Sequence, residues 1–411
     1  SAYDLLLIPQ PVELYEGHMR IQRKIRCWIT RNRYSTELYG DDLQRRYEAM
    51  LDALHRDENV FCEIAKMALN AWERVDQSVV LKAIEGINRR GDCSDFYLAG
   101  LLGMVYYYSQ DGSFPQALLQ PLEDCLLNFK YWHDEPGNDS MCYTTENHSI
   151  LFHTCQVLAG QLYPERVFAN NGETGRQHRD KGEQRALAWL HDRAARGFKE
   201  WDSNCYLEKD VLALSLLAGL AENPHVMEMA TVVLDKLFFI MAVNSFQGVF
   251  GSTHGRTYTP FIKSAYNETT SGLSRMLWGM GVFNNHVLGT VSLACTDYEL
   301  PPSIAAIAHD SPEEMWSRER HAGEMADWKN SGSHGPEVNK VTYKTPDYML
   351  CSAQDWHPGE KGYQQHIWQA TFGPEAVVFV THPTCASEDG SHRPNFWHGN
   401  ETLPRVAQWK D

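Results

Sequence analysis

The sequence predicts a mainly α-helical protein with a β-rich region behind it, on three observations. From about residue 40 to 290 apolar residues recur at helical spacing, as in Leu212, Leu216, Leu217 and Leu220. Turn and cap residues separate these periodic stretches; in Glu222-Asn223-Pro224, Asn223 can cap the next helix and Pro224 suits its first position. Near residue 300 the pattern changes to Gly-, Pro- and His-rich loops between short β-type runs.

The expected helices are Asp42–His55, Val60–Asn70, Val75–Arg89, Asp95–Tyr108, Pro115–Asn128, Glu146–Leu162, His178–Arg196, Tyr206–Ala221, Pro224–Val243 and Ser271–Met280. Their connections are short, so successive helices should be antiparallel neighbours. The expected strands are Lys340–Lys344, Tyr348–Ser352, Gln364–Thr371 and Ala376–Thr381, with Ser311–Pro336 as a charged linker or insertion. This divides the chain into a helical catalytic domain, 1–298, and a β-rich domain, 299–411, that reads as incomplete because so few strands leave an open edge.

Composition narrows the function. The chain has 411 residues and a formal charge of −16, with no basic run beyond a short cluster at Arg20 to Arg26. Nucleic-acid binding needs a basic stripe and is not expected; an anionic substrate in a locally positive groove remains open. No stretch has the length of a membrane span. The start, Ser1 to Leu7, lacks a signal peptide's pattern. Removal of such a signal would make the protein secreted or periplasmic; otherwise it is cytoplasmic. The ten Cys are scattered singly without C-x-x-C spacing, and read as small buried hydrophobes. Twelve Trp and nineteen Tyr supply flat rings of the kind that stack on sugars, although aromatics also fill cores.

Three polar segments exceed what a helical scaffold needs. Thr144-Thr145-Glu146-Asn147-His148-Ser149 opens an apolar helix, with Thr144 or Thr145 as its cap and Asn147 and His148 in the first turn, where free N–H groups favour an anion. Gly197 to Tyr206 gathers Glu200, Trp201, Asp202, Asn204 and Tyr206 at a loop-to-helix corner. Asn244 to Tyr258 is Gly-rich, and alternation would put His254, Arg256 and Tyr258 on one face of an extended segment.

Together these segments resemble the (α/α)-toroid polysaccharide lyases, the alginate lyases and heparinase-like enzymes. Those carry an Asn-His pair opening one helix, a Tyr opening a later one, a His/Tyr-bearing loop near the toroid's end and a following β-sandwich. Asn147-His148, Tyr206, His254 and Tyr258 stand in that order here. The resemblance implies an (α/α)-barrel of paired antiparallel helices, a β-sandwich-like domain, and β-elimination on an acidic oligo- or polysaccharide. Asn147 and Arg256 would stabilise the aci-carboxylate. Tyr206 and His148 would exchange protons, assisted by His254 and Tyr258. A tyrosinate base would need a nearby cation, and Arg256 is the one expected. Glu146, Asn204, Trp201 and Trp132 would bind substrate. No cofactor is required; His366, His382, His392 and His398 could hold a structural metal.

Two rivals stay open. A glycoside hydrolase on the same scaffold would need a pair of carboxyl groups, from among Glu146, Asp202, Glu208 and Glu268. A non-catalytic helical scaffold would bind glycans or proteins on its aromatic faces. Asn147-His148-Ser149 is also a glycosylation sequon, like those at Asn138, Asn267 and Asn400; a glycan at Asn147 would block the site.

Overall fold

The computed structural model describes residues 2–7, 12–14, 19–21, 25–30, 59–322, 338–354, 365–380 and 406–410. The expected helix Asp42–His55 lies outside these residues. The described part is mainly α with a β-sheet, as the periodicity predicts. Ahead of the helices, strands not foreseen from the sequence pair antiparallel: β1 (Ala2–Leu7) with β4 (Ile25–Thr30), and β2 (Val12–Leu14) with β3 (Met19–Ile21).

Twelve helices are described: α1 (Val60–Ala68), α2 (Gln77–Asn88), α3 (Ser94–Tyr108), α4 (Leu119–Asn128), α5 (Glu146–Leu162), α6 (Gly175–Arg196), α7 (Leu207–Leu220), α8 (Pro224–Val243), α9 (Thr259–Lys263), α10 (Ser271–Trp278), α11 (Leu288–Ala294) and α12 (Pro302–His309). They fall into two kinds. Helices α5 and α7 are buried around most of their circumference, so polar and apolar side chains alike must find partners inside. Helix α6 buries only a stripe through His178, Gly182, Ala186, Trp189, Leu190 and Arg193, and turns its charged face outward.

Helix α5 packs on α3, α6 and α7, and α7 packs on α3, α8 and α11. Glycine permits the closest of these approaches. A Cβ on Gly182 of α6 would stand 2.8 Å from the Val157 backbone nitrogen of α5. Starts follow local chemistry: Asn223 caps α8 with Pro224 behind it, and Thr174 with Gln177 forms a capping box on α6. The expected cap at α5 differs. Thr145 sits at the cap position, but its hydroxyl donates to Asn147 Oδ1 at 2.8 Å instead of accepting from the backbone.

After the short hairpin of β5 (Ser245–Phe246) and β6 (Val249–Phe250), the chain closes with a five-stranded antiparallel sheet of order β11-β10-β9-β8-β7. Its strands are β7 (Met315–His321), β8 (Val338–Lys344), β9 (Met349–Gln354), β10 (Trp368–Gly373) and β11 (Ala376–Phe379). Strand β7 corrects the expected linker. Its Ser-Arg-Glu-Arg run hides the β pattern, but charge is what protects an edge strand from further pairing. The buried face, including Lys340, Thr342, Cys351 and Thr371, turns toward the helical body, where a Cβ on Gly251 would meet Thr371 and Met349. No described helix is long and apolar enough to cross a membrane.

Candidate active site

The N-terminal turns of α3 and α5 meet through one side-chain pair. His148 Nδ1 lies 2.7 Å from Asp95 Oδ2, and the imidazole stacks on Phe96 with ring centroids 4.8 Å apart. Burial works against a charged ring here, but the Asp95 carboxylate overrides it and holds His148 well above its usual 6.5. A proton therefore stays between the two. Beside it, Asn147 Oδ1 accepts from Thr145 and from the His148 backbone N–H, while the Nδ2 donor is buried with no partner among the described residues. A buried, unmet amide donor is costly and is the kind of group a ligand satisfies. At 1% exposure Asn147 is shielded from any modifying enzyme in this fold.

Glu146 does a different job from the substrate binding expected of it. Its carboxylate accepts from the backbone N–H groups of Lys199 (2.9 Å) and Glu200 (2.7 Å) and pairs with Arg193 at 2.5 Å, so it ties the loop from Gly197 to Tyr206 onto α5. That loop delivers Glu200 and Tyr206. Arg256 reaches both: Nη1 lies 3.2 Å from Glu200 Oε1, and the guanidinium stands over the Tyr206 ring, 5.0 Å from its centroid. The Tyr206 hydroxyl is 3.0 Å from that of Tyr258, and both rings are half-buried.

The electrostatics here correct one expectation. Burial raises Tyr206 well above 10, and Arg256 only partly opposes that rise, so the phenol is neutral rather than a tyrosinate. Glu200 is poised instead: burial lifts it to about 7 against the pull of Arg256, and its Oε2 has no partner among the described residues. Asp95 was passed over in the sequence reading, and Glu200 was gathered with its segment but given no role. Neither stands out in its local pattern, since Asp95 opens an apolar helix and Glu200 is one acid among several.

His254 leaves the company of Arg256 and Tyr258. The chain bends after it, so the three do not share a face. Residue 254 forms an antiparallel bridge with His366, its Nδ1 meets the Asp202 carbonyl at 2.5 Å, and its ring stacks on His366. Burial, then His366, hold it well below 6.5. Gly255 lets this happen: a Cβ there would be 2.7 Å from the Trp201 backbone nitrogen. Of the four tail histidines, His366 is thus part of this joint, and His382, His392 and His398 lie outside the described residues.

The remaining expected binders are internal. Trp132 packs in the helical core against Tyr143, Phe152 and His153. Trp201 lies in the small core with Val338, Ala353 and Ile367, its Nε1 donating to Thr253. Asn204 accepts from Thr257 at 2.6 Å and bonds Glu268, whose burial lifts its carboxyl to about 8. They share a narrow crevice with His254.

Two described clusters have metal-ligating composition. In Asp202, Glu319 and His321 the Lys340 ammonium bridges the two carboxylates, contacting Asp202 and lying 3.1 Å from Glu319, and so performs a cation's task itself. The other, Asp92, Cys93 and His148, sits at the mouth of α3. Compared with known proteins, the chain matches no family model, and no curated protein or solved structure matches it.

Proposed function

We propose that the protein is a polysaccharide lyase cleaving a uronic-acid-containing glycan by β-elimination, on an (α/α)-toroid. The observation that carries this reading is Arg256, held against Glu200 and over the ring of Tyr206, whose hydroxyl meets that of Tyr258. A cation, a carboxyl poised near neutrality and a neutral phenol in one place are the parts that elimination needs. The helix neighbours support the scaffold: contacts run from α1 to α3, α5, α7 and α11, and from α11 back to α1.

In this reading the uronate carboxylate binds between Arg256 and the unmet Asn147 amide, beside the His148–Asp95 pair, which is neutral as a whole. That lowers the barrier to removing the C5 proton, because charge flows into the carboxylate as the proton leaves. Glu200 takes the proton, its value of about 7 being suited to a base at neutral pH. Tyr206 gives its proton to the departing O4, C4 and C5 become doubly bonded, and Tyr258 re-protonates Tyr206 from solvent. The glycosidase alternative loses ground because three of its four carboxylates are engaged elsewhere: Glu146 by Arg193, Asp202 by Lys340 and Glu208 by Lys209.

Incubation with a panel of uronate polysaccharides tests the proposal. New near-ultraviolet absorbance from unsaturated uronides is the expected result. New reducing ends without that absorbance would transfer the site to the hydrolases, and no turnover on any member would return it to the binding scaffolds.

A further inference from the structure

The mouth of α3 carries a cluster of which the elimination reading calls on His148 alone. Asp92 and Cys93 form the turn before the helix, with the Cys93 backbone left-handed at φ 64°. A carboxylate oxygen of Asp92, the Cys93 thiol and a ring nitrogen of His148 all lie within 4.8 Å of one another. Exposure is graded: Asp92 is exposed, Cys93 half-buried and His148 buried, so the cluster opens outward from a fixed base. That base is fixed because Asp95, fully buried, grips His148 Nδ1. A carboxylate orienting a histidine by its far nitrogen is the arrangement that supports histidine ligands at metal centres.

The donor set decides the class of ion. Magnesium and calcium take oxygen ligands, whereas one sulfur, one imidazole nitrogen and one carboxylate oxygen suit a borderline-soft cation. Three protein ligands also leave a coordination position open. Competing uses of these atoms are two: one Asp92 oxygen accepts from the Cys93 N–H at 3.1 Å, which leaves the other, and the Cys93 thiol is hydrogen-bonded to the His148 ring. Cys142, Asp95 and Glu200 are further titratable groups acting on His148.

We propose that Asp92, Cys93 and His148 bind a zinc-class divalent cation, with Asp95 as the orienting residue behind His148. Binding releases two protons to solvent, one from the Cys93 thiol and one from the imidazolium, and leaves a thiolate and a neutral imidazole as ligands. The inference stands apart from the elimination reading. Where both hold, the metal carries the positive charge near the uronate in place of the ring.

The test uses the full chain, stripped by chelator, kept reduced with a phosphine and titrated with cobalt(II). Saturation at one equivalent is expected, with a near-ultraviolet thiolate-to-metal band, visible bands of a four-coordinate ion, and bleaching of both by zinc. Cys93→Ser should remove the near-ultraviolet band. Asp92→Asn, at an exposed position that spares the fold, should weaken binding about tenfold, and Asp95→Asn by roughly 10- to 100-fold. A native chain that shows no saturable binding overturns the proposal. So does a spectrum unchanged in both Cys93→Ser and Asp92→Asn, which would assign the ion to other thiols. Turnover is not read, so failure here leaves the elimination assay untouched, and the converse.

Discussion

Two buried charge clusters stand on either side of the Gly197–Tyr206 loop, and they are built to opposite ends. On the sheet side, the Lys340 ammonium bridges Asp202 and Glu319, with Ser252 and Asn244 bonding the same carboxylates. Burial pushes Glu319 up, yet Lys340 overrides it and brings the carboxyl down to about 2, so the cluster stays ionised at any ordinary pH. On the helix side, Glu200, Asp95 and Asn147 each keep a buried polar atom without a partner among the described residues, and Glu200 sits at about 7. Both clusters keep a buried oxygen without a hydrogen-bond partner among the described residues, Asp202 Oδ1 on the sheet side included. What separates them is charge: one ammonium answers both sheet-side carboxylates and holds them ionised, whereas Glu200 stays poised near neutrality.

The largest expected break in this comparison is Lys340→Met. It leaves Asp202 and Glu319 buried without their cation and should cost about 3–5 kcal/mol in denaturant unfolding. A loss below about 1 kcal/mol would mean that the joint holds nothing together. Tyr206→Phe should instead spare the thermal midpoint while lowering turnover on the order of 10²-fold, about 2.7 kcal/mol of barrier. Equal losses of stability and turnover would place Tyr206 among the structural groups.

The pH dependence of stability comes next. Burial raises Glu135 and Glu200 to about 7 and Glu268 to about 8, so the fold favours their protonated forms and loses that support as pH rises through those values. Burial lowers His178 and His366 to about 4, so the fold favours their neutral forms and loses support as pH falls from the unfolded value of about 6.5. The two trends offset between roughly pH 4.5 and 6.5; above that the acids act together with His148, whose raised ring likewise loses support as pH rises, each group worth about 1.4 kcal/mol per pH unit at most. Thermal midpoints should fall from pH 6.5 to 8, and Glu268→Gln should flatten that slope. A midpoint that rises over the same interval would contradict it. The smallest effect is Asn147→Ala, which deletes the acceptor for Thr145 and the His148 N–H and should cost about 1 kcal/mol by denaturant titration.

Legibility in the sequence followed the same division. Helices α5 and α8 were read to the residue because apolar residues recur at helical spacing along each, and Asn223-Pro224 marks the start of α8. Strand β7 and helices α9, α11 and α12 were missed, being short or charged and defined by what they pack against. The meeting of Arg256, Tyr206 and Tyr258 was expected only from the resemblance to the toroid lyases, since no local pattern relates the two segments. His254 was not placed correctly, because its bridge to His366 joins positions that sequence spacing cannot relate. The roles of Glu200 and Asp95 depend on burial and on a partner about fifty residues away, and no local pattern encodes either.

The bridge between His254 and His366 has a practical corollary. Arg256 is two residues from that bridge, while its carbonyl accepts from Ser203 and the Gly255 N–H donates to Trp201, so the guanidinium takes its position from the bridge and the Gly197–Tyr206 loop together. Excising the helical portion for recombinant work, or grafting it onto a foreign partner, would remove one of these two anchors. The two halves are best treated as a single engineering unit.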